Sequence, residues 1–265
     1  MRISGNIIEN KAFWADRALR DVTVPAGIRH IGDWAFAKCV NLEKVTFEDD
    51  FRPGLFGRDV FKGCDKLAAV SFADTDDVTA HFLALCANRL AFDSLIRSED
   101  VGQKSWYEKW DICLATRIKS DDAEAKMSAA LCGEEDISYD GIGSIDGEMP
   151  GEGADFVSKE AHNKSVLCYI RLKNDIYLGT ETRALLEEHI RNNRFGSESG
   201  SSFSAIFEEC EGNLEYLRIY LDIVSCDRDT LSAMIASLGP SEVAARSYLI
   251  KESSDKTGIL DDLML

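Results

Sequence analysis

The residues best suited to chemistry gather between Gly133 and Phe156, where eight acids and six glycines stand without a single base. Carboxylate oxygens on a turn that glycine permits are what a hard cation such as calcium requires. A calcium loop opening at Asp136 would place Ser138 and Asp140 at ligand offsets and Gly141 at the turn, but its twelfth position is Gly147, and Glu148 comes one place late. The bidentate ligand is out of register. No metal is therefore expected; Asp136, Asp140 and Glu148 are the residues that would hold one, and a solvated acidic loop is the alternative. Glu134, Glu135 and Asp136 could be imagined as paired acids for glycoside chemistry, but adjacent carboxylates with no sugar-stacking pocket in view read as surface. His30, His81, His162 and His189 fall in no zinc-ligand spacing. Gly196-Ser-Glu-Ser-Gly200 carries Glu198 where a nucleophile elbow needs serine, and with Ser201 and Ser202 following it reads as a flexible linker. Asn163-Lys164-Ser165 is formally a glycan acceptor, but it lies within an expected helix. No catalytic constellation emerges, and no cofactor is expected.

The elements that must carry these residues belong to a chain of 265, 45% hydrophobic and 29% charged, long enough for one large core or two small ones. A net charge of −17 repels phosphate backbones, which disfavours nucleic acid and anionic membranes as partners. No apolar run reaches the roughly 18 residues of a membrane span, and the first residues lack the pattern of a secretion signal. A cytoplasmic protein is expected, with export the alternative should a leader have been removed. The eight cysteines lie at least 16 residues apart, which excludes C-x-x-C patterns and suggests packed, reduced thiols.

Phe13, Phe36 and Phe61 each anchor the same constellation. Five residues before them stand Ile8, Ile31 and Phe56; six after, Leu19, Leu42 and Leu67; nine after, Val22, Val45 and Val70; eleven after, Val24, Phe47 and Phe72. Copies two and three add Gly32 and Gly57 four before, and Cys39 and Cys64 three after. The ending L-x-x-V-x-[VF] reads as a short strand with Val22 and Val24 on one face and Asp21 and Thr23 on the other. One copy cannot cover its own apolar face, so copies must stack with their strands in a parallel ladder.

Ile31 to Phe47, I-G-x-x-A-F-x-x-C-x-x-L-x-x-V-x-F, resembles the BspA-type leucine-rich repeat of bacteria, and the likeness covers residues 6 to 75. Copy one departs with Glu9 and Asp16 in place of the glycine and cysteine, as an edge repeat would. The resemblance implies a solenoid, and members of that family are often surface or secreted adhesion proteins.

Residues 1–75 hold 11 basic and 11 acidic side chains, so all of the −17 lies beyond them. There the apolar spacing turns to threes and fours. Helices are expected over Val78–Ile96, capping the repeat stack, over Trp106–Ile118 with a further turn of pattern to Leu131, over Phe156–Leu172 with Val157, Ala161, Cys168 and Leu172 on one face, and over Glu181–Arg191. Leu214–Val224, with Leu214, Leu217, Leu221 and Val224 in register, and Thr230–Leu238, stopped by Gly239-Pro240, complete the set before Ser241-Glu242 opens another.

The expected fold is α+β: a short leucine-rich-repeat solenoid over 1–75, a helical cap over 76–100, and an acidic all-α array of stacked antiparallel helices over 101–265, with flexible loops near 133–155 and 196–202. The expected function is non-enzymatic binding of a protein partner on the open strand face, Asp21, Thr23, Lys44, Thr46, Ala69 and Ser71. The alternatives are a metal-binding regulatory or hydrolytic domain within 101–265, and surface adhesion as the family resemblance implies.

Overall fold

The computed structural model describes residues 3–120 and 152–262. Short strands come first: β1 (Ile3–Ser4), β2 (Ile7–Ile8), β3 (Asp21–Val24), β4 (His30–Ile31), β5 (Lys44–Phe47) and β6 (Ala69–Ser71). Eight helices follow among the described residues: α1 (Asp77–Ala87), α2 (Lys104–Lys119), α3 (Glu152–Lys173), α4 (Thr180–Asn192), α5 (Ser201–Glu208), α6 (Leu214–Ile223), α7 (Arg228–Ser237) and α8 (Val243–Asp262). The chain divides into two compact units, one of residues 1–117 with 176–178, the other of 118–175 with 179–265.

In the first unit the repeated offsets become ladders. β3, β5 and β6 form one parallel sheet in that order, pairing Val22 with Val45 and Val45 with Val70. β2 and β4 run parallel, Ile8 beside Ile31, and a bridge continues from Ile31 to Phe56; the β1–β2 hairpin closes the other side. Between the strands the anchor rings pile face to face, Phe13 on Phe36 at 5.0 Å and Phe36 on Phe61 at 5.7 Å. Phe47 and Phe72 stack at 4.4 Å. Phe36 and Phe61 are fully buried, while Phe13, the end ring, is half-exposed.

The turns that drive these rings inward use left-handed backbone on both sides of the anchor. Two residues before it stand Lys11, Trp34 and Asp59, and two after it Ala15, Lys38 and Gly63, all with positive φ. Only one of the six is glycine, so five residues pay the steric cost that glycine avoids. The ladder compensates by hydrogen bonding every turn to the next, Phe13 N–H to Ala35 O at 2.7 Å and Phe36 N–H to Val60 O at 3.0 Å. The glycines four before the anchor have a different reason. A Cβ on Gly32 would lie 2.5 Å from the backbone nitrogen of Asn10, and one on Gly57 2.8 Å from that of Asp33. Glycine is needed where a preceding copy lies beneath, and Glu9 is tolerated in copy one because its side chain is exposed.

Several expectations need correction here. The helix expected over Val78–Ile96 is broken: α1 ends at Ala87, Ala91 turns left-handed, and a 3-10 turn takes up Asp93–Leu95. α1 packs against β6, the last rung. In the second unit the buried residues of α6 are Leu217 and Tyr220, with buried Val224 as the cap beyond its end, whereas Leu214 is 39% exposed. Leu214 is the first helical residue, beside the cap Asn213.

Another correction concerns 196–202. Ser201 and Ser202 are not linker; they open α5 and are buried. The Ser202 hydroxyl lies within bonding distance of the Ile190 and Asn193 carbonyls at 3.0 and 2.6 Å, and Tyr169 Oη donates to the Ser202 carbonyl. Serine was buried here because α4 ends in carbonyls that need donors. Residues 152–155, expected within the acidic loop, belong to α3, which begins at Glu152, and the rest of that loop lies outside the described residues. α3 is not a one-faced amphipathic helix, for every residue from Lys164 to Leu172 is buried. Lys164 reaches Ser120 O at 2.7 Å, and Arg171 bonds Asn174 O, so the two buried cations meet carbonyls. α3 packs against α4, α5 and α6, and α7 against α8.

Candidate functional site

The six residues expected to line the strand face fall into two rows. The pairing sets Asp21 beside Lys44 and Lys44 beside Ala69, and sets Thr23 beside Thr46 and Thr46 beside Ser71. Alternation accounts for this, because Val45, Phe47 and Val70 between them turn into the core. Asp21, Thr23 and Lys44 are exposed; Thr46, Ala69 and Ser71 are half-buried. Ser71 Oγ donates to Thr46 Oγ1 at 3.3 Å, fixing the second row. At the entry to the strands Arg20 pairs with Glu43 at 3.3 Å, an exposed ion pair of small energetic weight. The face offers hydroxyls, one charge of each sign and a methyl group, which suits hydrogen bonding to an apposed chain.

The repeats also build a surface the sequence reading missed. Trp34 lies between two cations, with Lys11 Nζ at 5.3 Å and the Arg58 guanidinium at 4.6 Å from its ring, and Trp14 lies near Lys11 at 5.0 Å and Lys38 at 5.1 Å. Each such contact contributes about 0.5–1 kcal/mol at an exposed position. A basic residue within three positions of the anchor in each copy, Lys11, Lys38 and Arg58, with tryptophan at 14 and 34, was the signal that could have revealed it. Beside it runs a second ladder, in which Asn10 Oδ1 accepts from Asp33 N–H at 2.9 Å and Asp33 Oδ1 from Arg58 N–H at 2.8 Å.

The repeat cysteines have a structural part of the same kind. Cys39 Sγ donates to Phe13 O at 3.0 Å and Cys64 Sγ to Phe36 O at 3.1 Å, each thiol tying its anchor turn to the one before. The hydrogen bond with Cys39, together with burial, pushes the Cys64 thiol up. Burial does the same for Cys86 and Cys168. A thiol held protonated is a poor nucleophile and a poor metal ligand. These are packing groups.

Stacked turns, a shared phenylalanine column and bonded cysteines at one offset define the repeat type, and a comparison with family models agrees. Residues 3–91 are a BspA type leucine rich repeat region. BspA-type repeats are generally associated with protein interaction or adhesion. The match to the family described as "BspA type Leucine rich repeat region (6 copies)" takes in β1 to β6 and α1 and stops before α2. No curated protein and no solved structure matches the chain.

The metal candidates Asp136, Asp140 and Glu148 lie outside the described residues. Among the described residues no three histidine, cysteine or carboxylate side chains gather as a cation would need, and no helix is long and apolar enough to cross a membrane.

Proposed function

We propose that this chain is a non-enzymatic interaction protein whose BspA-type strand face docks a protein partner through Asp21, Thr23, Lys44, Thr46, Ala69 and Ser71. The observation that carries the reading is the register of β3, β5 and β6, which lines up side chains from three copies in two rows. Small residues at the β6 end let a partner backbone come close, and opposite charges at Asp21 and Lys44 favour one orientation over its reverse. Three strands at ~4.8 Å spacing span only about 10–15 Å, and with strands of at most four residues the face covers on the order of 200 Å², well under the roughly 800 Å² per side of a standard interface. The partner must therefore also reach the flanking turns around Arg20 and Glu43. In this reading the helical part over 101–265 is an array attached to the recognition module, and the setting is cytoplasmic, where the buried thiols of Cys39 and Cys64 stay reduced.

Photo-crosslinking tests the face directly. A benzophenone side chain at Thr46 should capture one protein reproducibly from an extract of the source cells, and the substitution Thr23→Arg should abolish that capture. Equal capture from a probe at Lys66, which lies in a turn, or capture indifferent to Thr23→Arg, would overturn the proposal. Surface adhesion, the rival role associated with such repeats, predicts that fractionation recovers the chain with the cell envelope. A metal-binding region predicts micromolar calcium, magnesium or manganese binding by calorimetry that is lost on Asp140→Asn.

A further inference from the structure

A cavity of about 530 Å³ opens within the second unit, and its walls are chemically one-sided. Phe195, Phe203 and Phe207 supply an aromatic wall, with Phe203 edge-on to both neighbours at 5.2 and 5.0 Å. Leu238 extends the apolar surface, and Glu208 and Glu242 add two carboxylates. None of the described residues lining it is basic.

Both carboxylates are held in place. Buried His162 stands behind the wall, its Nε2 2.7 Å from the hydroxyl of Ser204 and its Nδ1 3.4 Å from Glu208 Oε2. Ser204 and Glu208 are one helical turn apart on α5, so a single imidazole stands beside both. Glu242 Oε2 occupies the space where Gly212 lacks a side chain, 2.5 Å from where a Cβ would stand. Ser241 Oγ donates to its other oxygen at 3.3 Å.

We infer that this cavity binds a small organic cation, an ammonium or guanidinium group carried on an aromatic or branched apolar body. The two carboxylates receive the charge, and the phenylalanine faces, negative at their centres, attract the cation while covering its apolar part. A neutral or anionic guest would desolvate the carboxylates without compensating them. A bare metal ion is a poor fit, since it needs some six oxygens and the aromatic wall offers none. The volume lies in the range of about 300–1,000 Å³ that suits small molecules. The site is separate from the strand face, and its fate does not depend on the role proposed there.

Calorimetry on the full chain with matched probes tests this. Phenethylamine and benzyltrimethylammonium should bind, 2-phenylethanol at least about tenfold more weakly, and 3-phenylpropionate not at all. Glu208→Gln and Glu242→Gln should each weaken phenethylamine by about fivefold or more with the circular dichroism spectrum unchanged. Glu208 is exposed enough that its isosteric substitution leaves the helix intact. The inference fails if neither cation binds below about 10 mM, if the alcohol matches the amine, or if both variants retain full affinity. A capped lysine binding more tightly than phenethylamine would assign the cavity to a partner's side chain and overturn the small-molecule reading.

Discussion

At Gly32 and Gly57 the absence of a side chain is a packing requirement set by the turn below, and the requirement can be measured. Gly57→Ala should destabilise the repeat unit by about 1–3 kcal/mol in urea unfolding, since the Cβ meets backbone that cannot move aside. Glu9→Ala, at the corresponding position of copy one, should change stability by no more than about 0.5 kcal/mol. Phe36, fully buried between two rings, should cost about 3–5 kcal/mol as alanine. These positions were legible because apolar spacing and glycine survive as letters. The left-handed backbone at Lys11, Ala15, Trp34, Lys38 and Asp59 was not legible, because the strain is relieved by bonds to a neighbouring copy rather than by choice of residue. The cavity was hidden for another reason: its walls come from 195–208, 237–239 and Glu242, segments with no shared pattern.

Elements announce themselves through periodicity, and they mislead where composition imitates something else. α5 begins in a serine-rich stretch that looks like linker, yet Ser201 and Ser202 are buried there and Ser202 donates to the end of α4. The start of α2 depends on a comparable polar cluster. Asp100 accepts from Ser98, Ser105 and Lys109, the last at 2.8 Å. Burial alone would raise its carboxyl, but Lys109 and the two hydroxyls outweigh it and hold Asp100 well below the ordinary carboxylate range. Its stabilising contribution is therefore complete above that ordinary value and fades as the pH falls toward the lowered one. The thermal midpoint of the wild-type chain should drop between about pH 5 and pH 2 more steeply than that of Asp100→Asn. Parallel acid profiles for the two proteins would refute this role.

The molecule as a whole joins a unit of net charge −2, which holds the repeats, to a helical one of net charge −15, and each has its own core. Scanning calorimetry should resolve two transitions, with Phe36→Ala lowering only one of them. Coincident transitions that shift together would show that the cores melt as one. The charge division was plain from counting, whereas the boundary near residue 117 was not, since α2 continues the apolar spacing of its surroundings through that point.

The middle copy meets its neighbours through the same offsets on its upper and lower sides, so it is in effect a tile that can be repeated. A chain carrying a second version of residues 25–47 spliced in after Phe47 should seat the addition without altering either end, growing by one strand spacing of ~4.8 Å. Length in this architecture is thus a quantity that gene duplication can tune, independently of whatever the helical part does.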